Sequence, residues 1–222
     1  MADDGNQQAL LTALTTEHFT LQGARSQTVG ESGSRASLYL GSVSSALIGL
    51  GFVTQATGAD SEVFQIFALT VLPTVFFLGL FTFVRLVESS VEDILYGRAI
   101  NRIRNYYLQL AGDHARYFMM SGHDDPLGVI VNMGIDPSSR WQLLFTASSA
   151  VSVVNGVVGG SALAILLGVT LDLPLAVATL AGAGFLLISA GIAMRYDRRR
   201  HTEAARGREP LFPSPVPSSP RR

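Results

Sequence analysis

Four stretches of this chain carry no Asp, Glu, Lys or Arg. They comprise 24 residues between Arg35 and Asp60, 22 between Glu62 and Arg85, 31 between Arg140 and Asp172, and 22 between Asp172 and Arg195. A helix needs roughly 20 apolar residues to cross a bilayer core. All four runs meet that length, and 222 residues cannot surround four fully buried helices with polar structure. The expected fold class is therefore all-α, a polytopic membrane protein with four transmembrane helices plus cytoplasmic amphipathic helices. A mean hydropathy of +0.33 with 15% charged residues agrees with this.

The basic residues orient the spans. All 16 are Arg: two precede the first run, six lie in 85–140 and eight in 195–222. None falls in the short connections 57–62 and 170–174. Because cytoplasmic loops carry the excess of Arg and Lys, both termini and the central insert are expected in the cytoplasm of an inner-membrane protein. The organisation that follows is a helical N-terminal region over 1–35, a first hairpin over 36–84, a helical insert over 85–140, a second hairpin over 141–194, and a basic, Pro-rich, disordered tail over 195–222. The acidic start MADDGNQQ has no basic region leading into an apolar core, so no cleaved signal peptide is expected.

Within the N-terminal region, Leu10, Leu11, Leu14, Phe19 and Leu21 recur at helical spacing, while His18, Gln22, Arg25 and Ser32 gather on another side. Gly23, Gly30 and Gly33 weaken a helix. One or two helices along the membrane surface, turning upward near Ser32–Ala36, are expected. In the first span, Ala36–Thr54, Gly41, Ser45 and Gly49 recur every fourth residue and offer a face for close helix approach. The second span, Val63–Val84, is rich in Phe and contains Pro73. It reads as lipid-facing and kinked. The third lies within Leu143–Val169, capped by Asp136 or Ser138 and anchored by Arg140 and Trp141. Its Gly156 and Gly160 form a GxxxG pair. The fourth, Leu173–Met194, begins with Pro174 in its first turn.

The spans hold no ionisable side chain in their cores, which argues against proton-coupled carriers and voltage sensors, because these need a movable charge inside the membrane. Asn155 is the one strongly polar group near a span centre. It is expected to hydrogen-bond across the bundle to Ser42, Ser44 and Ser45, with a pore-lining role as the sharper alternative. There is no cysteine, P-loop, HExxH or nucleophile elbow. Neither enzyme activity nor a cofactor is expected. His123-Asp124-Asp125 are consecutive and lack a second ligand cluster, so they make a poor metal site.

The insert carries the remaining candidates. Tyr96, Ile100, Ile103, Tyr107, Leu110, His114 and Tyr117 follow a heptad seam. That seam suits packing on the N-terminal helix of the same chain or a coiled-coil contact between copies. Arg98, Arg102, Asn105, Gln109 and Arg116 flank it as a tentative anion-binding face, against the blander reading of a solvated basic stripe. Leu127–Ile135 is short and apolar and fits a segment dipping into the membrane interface.

The stretch Glu17–Phe52 resembles uncharacterised four-span integral membrane proteins of actinobacteria through its E-H-F-x-L-Q-x-A-R entry helix (Glu17, His18, Phe19, Leu21, Gln22, Ala24, Arg25) joined to a Ser/Gly-rich span. That resemblance implies an architecture and no activity. A looser, architectural likeness is to the membrane effectors of nucleotide-signalled antiphage systems, the Pycsar transmembrane effectors. It implies a non-enzymatic inner-membrane effector or channel-like protein, a homo-oligomer in the lipid bilayer with a cyclic nucleotide as trigger and no nucleic-acid partner. The alternative is an adaptor that recruits a partner through the central helix.

Overall fold

The computed structural model describes residues 2–136 and 146–215. The described residues are all-helical, with no strand: α1 Ala2–Thr57, α2 Glu62–Ala111, a 3-10 turn Gly112–Tyr117, α3 Pro126–Asn132, α4 Ala147–Leu171 and α5 Leu175–Ala205. Helices α1, α2, α4 and α5 are each long and apolar enough to cross a membrane. Two compact units divide the chain. An apolar unit comprises Glu31–Glu88 and Leu144–Thr202, and a polar unit comprises Met1–Gly30, Ser89–Leu143 and Glu203–Arg222.

The first correction to the sequence reading concerns α1. It is one helix through Gly23, Gly30 and Gly33, with no turn at Ser32–Ala36. Each glycine costs up to about 1 kcal/mol relative to Ala, yet tertiary contacts outweigh local propensity. In the polar unit Arg25 grips the Asp93 carboxylate with two bonds, 2.7 and 3.2 Å. In the apolar unit Glu31 bridges Arg35 at 2.8 Å and Arg85 at 3.7 Å.

The second correction concerns α2. Of the ten buried residues that form the apolar unit's core, six come from this helix: Ala68, Leu72, Val75, Phe83, Leu86 and Val87. Steps of four and three place 68, 72, 75, 79, 83 and 86 on one inward stripe. Phe77 and Phe81 lie exposed on the opposite side. Phe83 joins the core while Phe77 and Phe81 face outward, so phenylalanine content alone did not give the facing of this helix. Pro73 lies inside the continuous helix.

The caps also differ from expectation. Thr146, not Asp136, caps α4, its hydroxyl accepting the Ser149 N–H at 3.2 Å. Ser138, Arg140 and Trp141 lie outside the described residues. Pro174 stands immediately before α5, where its carbonyl accepts the Val177 and Ala178 N–H groups. Asp172, left-handed at φ 51°, ends α4.

Candidate functional site

Among the described residues of the apolar unit, the buried polar side chains are Thr82, Ser148 and Asn155, each with a hydrogen-bond partner. Asn155 is buried, and its Oδ1 accepts the Tyr39 hydroxyl at 3.1 Å. The expected partners Ser42, Ser44 and Ser45 instead donate to Leu38, Leu40 and Gly41 carbonyls of their own helix. A serine hydroxyl reaches its i−4 carbonyl without any neighbouring helix, whereas Tyr39 is long enough to cross to α4. Gly79 on α2 makes room for this pair, since a Cβ there would come within 2.7 Å of the Tyr39 ring. Helices α4 and α5 approach closely where Gly160 and Gly182 face one another, each with its missing Cβ 2.5 Å from the other's carbonyl oxygen. Gly156 packs against Leu186 and Ser189 of α5. Helices in lipid gain little from hydrophobicity and associate through such close packing.

The Gly41/Ser45/Gly49 stripe behaves differently from the expectation of close backbone contact. Gly41 has no neighbour within 4 Å of its missing Cβ, and Gly49 meets only the Phe67 ring at 3.4 Å. Ser45 and Gly41 line an open groove of about 810 Å³ with Leu38, Phe67, Val71 and Val75.

The polar unit contains the denser construction. Arg98, 7% exposed, donates from Nε to the Asp124 carbonyl at 2.7 Å and from Nη2 to the Arg208 carbonyl at 2.6 Å. Arg102, one helical turn on, meets the Asp124 carboxylate at 2.7 Å through Nε and 2.6 Å through Nη2. Asn105 reaches the Gly122 carbonyl, and Gln109 donates to Asn105. Asn101, buried between them, donates to the His123 carbonyl at 2.8 Å and accepts from Arg104 and Asn132. The expected anion-binding face is thus largely occupied from within the chain. Arg116 is not part of it, because α2 ends at Ala111 and Gly112, with φ 51°, starts the 3-10 turn that carries Arg116 over the Tyr117 ring.

Asp124 is the centre of this arrangement, with a side chain 0% exposed. Its carboxylate accepts the Leu211 N–H at 3.1 Å and the Phe212 N–H at 2.7 Å besides Arg102. Its own N–H donates to the Phe212 carbonyl at 3.1 Å. Asp125 caps α3 by accepting the Gly128 N–H at 2.8 Å and also accepts the Ser214 N–H and hydroxyl at 3.0 and 2.7 Å. Burial alone would raise both acids, but the donors around them outweigh it. For Asp124 these are the Phe212 N–H, Arg102 and the Leu211 N–H, and its carboxyl is held below the ordinary value. For Asp125 they are chiefly the Gly128 N–H and Ser214.

Of the tail 195–222, expected to be disordered, residues 195–205 continue α5 and 208–215 form a strap seated on the 121–125 loop. Residues 216–222 lie outside the described residues. Leu127–Asn132 of the Leu127–Ile135 segment belongs to α3, with Val129 buried where Gly97 of α2 lacks a side chain. The seam is shortened as well. Ile100 and Ile103 are buried and Tyr107 packs on His18 of α1 at 5.8 Å between ring centroids. Leu110, 47% exposed, and Tyr117, 73% exposed, lie outside the packed part.

No protein-family model, no curated protein and no solved structure matches the chain.

Proposed function

We propose that the chain is a non-enzymatic, multi-pass membrane protein of the effector or channel-like class, in which the polar unit governs whether the helix bundle perturbs the bilayer. The observation that carries this reading is the strap. Helix α5, apolar enough to span, runs without interruption to Ala205 and leads directly into a segment clasped by Asp124, Asp125, Arg98 and Arg102. Releasing that segment frees the end of a spanning helix. The uncharged spans suit a bundle that moves by helix packing rather than by intramembrane charge. The distribution of arginines supports an inner-membrane location with both termini and the polar unit in the cytoplasm. The open Gly41/Ser45 groove suits assembly with further copies.

Expression of the wild-type chain and of Asp124→Asn in a bacterial host, with membrane potential followed by dye, tests this proposal. Candidate cyclic nucleotides, the trigger in an antiphage role, form a further arm. Depolarisation by the variant, or by wild type plus a nucleotide, is expected. Inserted, folded protein that leaves the potential unchanged in every arm contradicts the effector reading.

An adaptor role is favoured by one feature, the exposed run Tyr117–Met120, in which Met119 is 89% exposed. A soluble partner lost on Met119→Asp, with the potential unaffected throughout, selects that reading.

A further inference from the structure

Between α1 and α2 in the polar unit lies a cluster made almost wholly of donors. The Gln22 amide nitrogen stands 2.7 Å from His18 Nε2. An amide nitrogen only donates, so His18 Nε2 accepts, and the neutral ring carries its proton on Nδ1. That Nδ1 is buried and has no hydrogen-bond partner. A buried donor without an acceptor is rare and asks for one.

The surrounding charges are positive. Arg104 is close enough to act electrostatically on His18, and Arg25 on Arg104. Nη1 of Arg104 donates to two neutral oxygens, Asn101 Oδ1 at 2.8 Å and the Ser121 carbonyl at 3.3 Å, and Arg104 has no carboxylate partner among the described residues. Among the described residues, Asp93 is the acid that contacts these arginines directly, bound to Arg25 through both oxygens. Two guanidiniums and one carboxylate leave a positive excess beside an unsatisfied N–H. Tyr107 closes one side of the cluster against His18, with ring centroids 5.8 Å apart.

We propose that His18, Arg25 and Arg104 form a binding site for a phosphate-class oxyanion, a free phosphate group or the phosphate of a lipid headgroup. His18 Nδ1–H supplies one directed donor, Arg104 and Arg25 supply charge-assisted donors, and Gln22 fixes the imidazole tautomer. The site is separate from the Arg98/Arg102 face, whose acceptors the chain provides itself. It names the anion-sensing element of the membrane reading, on which only its regulatory meaning rests. Binding itself is measured without any conductance.

The test uses the full chain labelled with 15N-histidine. Inorganic phosphate is titrated into protein in phospholipid-free maltoside micelles. In a second arm the protein sits in nanodiscs of phosphatidylcholine with or without phosphatidic acid. A saturable shift of the His18 ring nitrogens with phosphate in micelles supports a free-phosphate ligand. A shift only with phosphatidic acid supports a headgroup. Arg104→Gln is expected to weaken binding at least tenfold, and His18→Phe to do the same while leaving Arg104 and its neighbours in place. Arg116→Gln leaves the affinity unchanged. No saturable shift in either arm overturns the proposal, as does an affinity that falls with Arg116→Gln and not with Arg104→Gln.

Discussion

At the residue scale, Asp124 does most to organise the polar unit. It is fully buried and holds one arginine and two backbone N–H groups. Hydrogen bonds to a charged acceptor are worth about 1.5 to 3 kcal/mol each, and the half-exposed Arg102 places the pair at the lower end. Asp124→Ala is therefore expected to cost the polar unit about 2 to 3 kcal/mol and to release 208–215. Limited proteolysis should then cut the tail in the variant and spare it in wild type. The pH dependence has a definite sign. A carboxyl held below its ordinary value stabilises the clasp at pH above the unfolded-state value, and the contribution is lost as pH falls through the lower, folded value. The wild-type tail should stay protected at pH 5 and become cleavable only in stronger acid. Tail cleavage that begins near pH 6 contradicts this role of Asp124. His18 shows the opposite case. Burial, and then the Arg104 charge, keep its ring neutral to lower pH than usual. Little in the sequence marked Asp124, because its partners are backbone groups 87 and 88 residues away along the chain. Asp125 followed by Pro126 did carry a local signal, that of a helix cap with proline in the first turn.

At the element scale, the four long apolar helices were legible because charge is costly in a membrane, and its absence over 22 or more residues leaves few alternatives. Facing was less legible. Phenylalanine marks lipid contact and core packing equally well, and α2 proved central through Phe83 together with the aliphatic residues of the same stripe. Glycine spacing was informative only where a partner helix exists. The Gly156/Gly160 pair has α5 beside it, whereas Gly41 has open space. Substitution should separate the two. Gly160→Val drives a side chain into the Gly182 backbone, and overpacking of this kind costs about 1 to 3 kcal/mol. The thermal midpoint of the detergent-solubilised protein should fall. Gly41→Val fills open space and should leave the monomer's midpoint unchanged, while lowering any oligomer seen by crosslinking. Tyr39→Phe removes the donor to Asn155 and should cost roughly 0.6 to 2 kcal/mol, the range for hydrogen bonds between helices in membranes. A larger loss for Gly41→Val than for Gly160→Val in the same assay would reverse this ranking of the helix faces.

At the scale of the whole molecule, everything rests on four membrane crossings with the polar unit on the cytoplasmic side. The natural absence of cysteine makes that claim directly measurable, since single introduced thiols carry the only label. Ala59→Cys and Leu171→Cys report the two short connections, and Met119→Cys reports the polar unit. Intact cells are treated with a membrane-impermeant maleimide, then permeabilised and treated again. Labelling of positions 59 and 171 from outside, with position 119 labelled only after permeabilisation, is the predicted result. Labelling of position 119 in intact cells, or protection of position 59 or 171 until the membrane is opened, contradicts it.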